Sequence, residues 1–125
     1  MINVNFFLFL GFHSANLILI IFYLFPGSIL GCFFYDNCHV QPQITGNFLI
    51  SSNHFYAFIL LSALGVLAYE KKNKIRLLFR YLLLISFVLE SLHFIIPNRG
   101  FEFSDLFGNI FGVILIMIFY KIKTI

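Results

Sequence analysis

Glu90 and His93 stand three residues apart in an otherwise apolar run, and Asp105 and Asn109 stand four apart at the head of the next. On a helix either spacing puts both side chains on one face. A carboxyl group beside an imidazole can pass a proton near neutral pH. Arg99, in the "PNRG" turn between the runs, offers a planar fork that matches phosphate or carboxylate. His54 opens the run before these. Two His, Glu90 and Asp105 are also metal-ligand types, but they are dispersed at generic spacings, and neither a metal nor a cofactor is expected.

The elements that carry these residues are greasy. The chain has 125 residues, is 61% hydrophobic and only 10% charged, and contains nineteen Phe, more apolar surface than a water-soluble domain can hide. Runs at about 5–25, 53–70, 77–96 and 105–120 approach the ~20 residues needed to cross a bilayer as a helix. The expectation is an all-α membrane protein: one domain over residues 1–125, four transmembrane helices and an external loop at 26–52. Before its apolar region the first run lacks Lys or Arg, and it has no small-x-small cleavage site, so it reads as a retained helix. Seven of the eight basic residues (Lys71, Lys72, Lys74, Arg76, Arg80, Lys121, Lys123) fall on one side of this arrangement, which makes that side, with both termini, cytoplasmic. No basic stripe interleaved with aromatics points to nucleic acid.

This topology gathers the polar residues at the outer face. His54 enters there, Glu90 and His93 leave there, and Asp105 and Asn109 re-enter. With the third helix running to 96, Glu90 lies ~10 Å below its end, inside hydrocarbon, where a carboxylate must find a partner or a proton. Ser104 and Asp105 are suited to capping the fourth helix. Gly108 and Gly112 form a G-x-x-x-G pair suited to close helix packing, and homodimerisation through that face is open. His13 and Asn16, midway along the first helix, are expected to bond across helices. Cys32 and Cys38, in the outer loop, are either a disulfide or two unpaired thiols. The Phe and Tyr residues near the interfaces read as membrane anchors.

From Pro26 onward the ordered pattern resembles the VanZ-like family of small bacterial membrane proteins. The likeness lies in Pro26-Gly27, the His54 that opens "NHFYAFILLSALG", Glu90, the turn holding Pro97 and Arg99, and "D-x-x-x-N-x-x-G" at Asp105, Asn109 and Gly112. That family more often has Gln where His93 stands and Asp-Lys where Ser52-Asn53 stand. The resemblance implies a role in the cell envelope at the bacterial inner membrane and a link to teicoplanin-type glycopeptide resistance.

Three functions compete. His54, Glu90, His93, Arg99, Asp105 and Asn109 can line an outer-leaflet pocket for the head group of a membrane lipid or lipid-linked envelope molecule, with Arg99 on the anionic oxygen. Alternatively, Glu90 with His93 or His54 can serve as acid and base in an enzyme acting on a lipid head group, although no nucleophile motif, phosphate loop or H-E-x-x-H accompanies them. The chain can also be a small structural or transport subunit of an envelope complex. A purely structural role would have Arg99 closing on Glu90 or Asp105.

Overall fold

The computed structural model describes residues 3–125. Its helices are α1 (Val4–Leu24), α2 (Ile29–Tyr35), α3 (Ser52–Tyr69), α4 (Ile75–Leu92) and α5 (Phe103–Thr124), with a short 3-10 turn at Glu70–Lys72 and no strand among the described residues. α1 starts at Asn3, whose side chain accepts from the Asn5 and Phe6 amides, and it stops ahead of Pro26. Gly27 then turns the chain at φ +122°, where a Cβ would sit 2.8 Å from the Cys38 carbonyl oxygen.

The connection at 26–52 is not a plain loop. It contains α2, capped by Ser28 Oγ on the Gly31 amide and closed by Asp36 in the left-handed conformation. A Cys32–Cys38 disulfide ties this helix to the strand of chain leaving it. Farther along, Asn53 donates to the Pro42 carbonyl and Ser52 Oγ to the Thr45 carbonyl, fastening the 42–47 segment over the start of α3. Ser52 and Asn53 thus hold a loop.

α3 lies at the centre, packed on α1, α4 and α5. Phe58, Leu61, Leu78, Leu82, Leu89, Val113 and Phe12 fill the interior. α5 approaches α3 closely because Gly108 and Gly112 face it: a Cβ on Gly112 would lie 2.8 Å from the Phe55 carbonyl and 3.0 Å from Phe58 Cβ. The G-x-x-x-G face expected to be open for a homodimer is therefore used inside the chain. His13 Nε2 meets the Tyr69 hydroxyl at 2.7 Å and Tyr81 donates to Asn16 at 2.9 Å, the cross-helix bonds expected of α1.

The outside of this bundle is apolar. Phe6, Leu17 and Ile18 on α1, Leu60 on α3, Phe87 on α4 and Ile118 on α5 are all exposed, the reverse of a soluble domain's surface. The helices at Val4–Leu24, Ser52–Lys72 and Phe103–Thr124 are long and apolar enough to cross a membrane, and the chain is an integral membrane protein on that ground. α4 differs from these three, because its eighteen residues include Arg76, Arg80 and Glu90.

Two of the boundaries that differ from the sequence expectation bear on the polar residues. α4 ends at Leu92, not 96, so Glu90 lies in its last turn, not two turns deep. The amides of His93, Phe94 and Ile95 each bond three residues back, tightening the chain into turns ahead of Pro97. α5 begins at Phe103 with Glu102 as its extended cap residue, so Asp105 is the third helical residue and neither it nor Ser104 caps the helix.

One buried group is unmatched: Ser62 Oγ on α3 has no hydrogen-bond partner among the described residues. Ser62→Ala removes an orphaned hydroxyl at little cost in volume and is expected to raise the unfolding free energy by up to about 1 kcal/mol. A higher thermal midpoint in detergent would register it.

Candidate functional site

The ends of four helices meet around a residue that the sequence reading took for a membrane anchor. Tyr23, in the last turn of α1, is buried, and its hydroxyl donates to Glu90 Oε2 at 2.9 Å and accepts from Asn109 Nδ2 at 2.6 Å. The same oxygen touches His54 Nδ1. Its backbone carbonyl accepts from His93 Nε2 at 2.9 Å, and the two rings stack with centroids 4.8 Å apart. One residue of α1 therefore bonds α3, α4 and α5 and the turn after α4. Among so many Phe, the signal for it was a single hydroxyl placed three residues before Pro26.

The hydrogen-bond directions fix the chemistry of the imidazoles. Asn109 Nδ2 also donates to the Ser86 carbonyl at 3.3 Å, so its Oδ1 faces His54 Nδ1 at 3.0 Å and can only accept. His54 therefore carries a proton on Nδ1. In the neutral ring Nε2 is then a bare lone pair, directed toward Asp105 Oδ2 at 3.6 Å.

His93 is different. Its Nε2 proton goes to the Tyr23 carbonyl, and Nδ1 faces Glu90 Oε1 at 3.3 Å, a distance that makes an ion pair when the ring is doubly protonated. Glu90 Oε1 also accepts the Glu102 amide at 3.1 Å, tying the end of α4 to the start of α5. Both residues are almost wholly buried. This pairing answers the desolvation cost expected of Glu90.

Arg99 does not close on Glu90 or Asp105, the purely structural role anticipated for it. Its Nε donates to the Phe25 carbonyl at 3.2 Å and one terminal nitrogen donates to the Phe22 carbonyl at 2.9 Å, capping the end of α1. It forms no ion pair with a carboxylate among the described residues. Burial draws its guanidinium below the usual value, and it remains a cation at neutral pH.

Arg99 also lines a cavity of about 580 Å³. The lining continues through His54, Asp105 and Glu102, the apolar Leu19, Phe22, Leu30 and Leu60, and residues of the 41–47 segment. Of the six expected site residues, His54, Arg99 and Asp105 reach this cavity. Glu90, His93 and Asn109 stand behind them and set their positions.

The fold also overrules the argument from dispersion. One ligand atom each from His54, Glu90 and Asp105 lie within 4.8 Å of one another, a convergence that spacing along the chain did not show. Comparisons with protein-family models, with curated proteins and with solved structures return no match, and the geometry of the site stands on its own.

Proposed function

We propose that the chain is a VanZ-like protein of the bacterial cell envelope that holds the anionic head group of an amphiphile in the Arg99 cavity, with the acyl or prenyl chain along the apolar helix faces. In this reading α4 crosses the inner membrane as a fourth span, both termini are cytoplasmic and the cavity opens in the outer leaflet. Support for the fourth span comes from the outward side of α4, where Leu77, Leu84, Phe87 and Val88 are exposed. Arg76 and Arg80 fall in its first two turns, where long basic side chains can snorkel to the interface. The charge bias of the connections supports the orientation.

One observation carries the binding reading. A guanidinium with no ion-paired carboxylate among the described residues borders a cavity that is also lined by apolar side chains. Structural capping takes Nε and one terminal nitrogen, and the remaining guanidinium donors suit a phosphate or carboxylate head group in the cavity. Arg99→Gln retains amide donors for the α1 carbonyls and removes the charge. After gentle purification the wild type is expected to retain about one anionic lipid per chain, read by native mass spectrometry, and Arg99→Gln to lose it with an unchanged melting profile. Equal lipid content in the two would count against the reading. A teicoplanin-linked role adds that expression of the wild type, and not of Arg99→Gln, shifts susceptibility of a host to that drug.

Acid/base chemistry on the head group is the second reading, favoured by the bare Nε2 of His54 beside Asp105 at the cavity wall. Head-group release from a panel of lipid phosphates, absent in His54→Gln, would raise it above binding alone.

A further inference from the structure

His54 is held in the manner of a metal ligand. Where an imidazole binds a cation through one ring nitrogen, the other commonly donates to a fixed acceptor, which sets the tautomer and the aim of the lone pair. Here Nδ1 donates to Asn109 Oδ1, whose orientation is in turn fixed by the Ser86 carbonyl. The Tyr23 hydroxyl abuts the same nitrogen. Nε2 is left pointing at Asp105, and in a neutral ring a lone pair 3.6 Å from a carboxylate oxygen is repelled. A cation between them removes that repulsion.

The charges around the cavity carry the same implication. Asp105 and Glu102 line it with only Arg99 as a cation, and Glu90 lies behind. Neither Glu90 nor Asp105 is paired with a Lys or Arg among the described residues. We propose that His54, Asp105 and Glu90, whose ligand atoms lie within 4.8 Å of one another, form a site for a divalent cation of the zinc class. One imidazole nitrogen with carboxylate oxygens is a donor set that suits Zn²⁺, and three protein ligands leave a coordination position open toward the cavity. That position is where an anionic oxygen could approach despite the acidic wall. The inference shares the cavity with the head-group reading but does not rest on it, and Zn²⁺ alone tests it.

The competing arrangement is a second proton on His54, giving an imidazolium paired with Asp105 and no ion. Equilibrium dialysis of the full-length protein in detergent against Zn²⁺, after chelator treatment, separates the two. The expected result is about one Zn²⁺ per chain, with affinity reduced at least ~10-fold by His54→Ala and by Asp105→Asn and unchanged by His39→Ala in the outer loop. X-ray absorption of the loaded wild type is expected to show a nitrogen and oxygen shell containing one imidazole, a readout that needs no variant to fold. Failure to retain Zn²⁺, a sulfur shell, or binding that survives Asp105→Asn undiminished would overturn the site. Loss of Zn²⁺ binding without loss of the retained lipid would leave the head-group reading standing.

Discussion

Tyr23→Phe is expected to be among the most damaging single-atom deletions in this protein. The hydroxyl accepts from Asn109, donates to Glu90 and touches His54, and Asn109 and Glu90 are fully buried. Removing one partner from a buried polar group costs ~1–3 kcal/mol, and more where the group is charged. Here Glu90 and Asn109 each lose a bond together, and they share a network, so their losses need not add. A destabilisation of about 3 kcal/mol or more is expected, with the thermal midpoint in detergent falling well below that of the wild type. Tyr56→Phe is the control, since its hydroxyl bonds only the exposed Thr45 at 3.0 Å and should change the midpoint little. A Tyr23→Phe protein as stable as wild type would mean that the four helix ends are not tied through this hydroxyl.

Gly112→Leu should have an effect of similar size for a different reason. Even a Cβ at this position meets the Phe55 carbonyl at 2.8 Å and the Ile59 amide at 3.1 Å, which are backbone atoms of α3 and cannot swing aside. Accommodating a Leu requires α5 to move off α3, and overpacking of this kind costs ~1–3 kcal/mol or more. The loss should be independent of protein concentration, with the oligomeric mass in detergent the same as for the wild type. A mass that falls in the variant, with each chain still folded, would return the glycine face to a dimer interface.

The polar cluster was legible because antiparallel helices carry distant residues to one membrane face. Once the runs near 54, 90 and 105 are recognised as helix ends, their meeting follows from connectivity. Tyr23 was not legible, since Tyr in a Phe-rich first helix near an interface has an ordinary reason to be there. Hydropathy also carried the third run through Phe94, Ile95 and Ile96, although the helix ends at Leu92. The residues that stop it are those doing the bonding: Glu90 takes the Glu102 amide, and His93 turns toward the Tyr23 carbonyl. Apolar content sets which residues can enter lipid, not where backbone bonds change pattern.

Arg99 shows a related limit. Sequence offered it a ligand or a carboxylate, both side-chain partners, whereas it first bonds the Phe22 and Phe25 carbonyls left over at the end of α1. Helix-end carbonyls are invisible to a motif. The glycine pair had the opposite fate, because close packing was correctly anticipated while its partner proved to be α3 of the same chain. Likewise the 26–52 connection gave its two cysteines away but not the seven-residue helix that carries the first of them.

The proposed function requires an anionic amphiphile to enter the Arg99 cavity. The most direct measurement is photolabelling in bilayers by an anionic phospholipid with a diazirine near its head group, followed by mapping of the labelled peptides. Adducts are expected to concentrate on cavity-wall residues such as Leu19, Leu30 and Tyr56, to be displaced by unlabelled anionic lipid and to be lost in Arg99→Gln. Labelling spread evenly over outward residues such as Phe6, Ile18 and Phe87, unchanged by competitor or by Arg99→Gln, would contradict it.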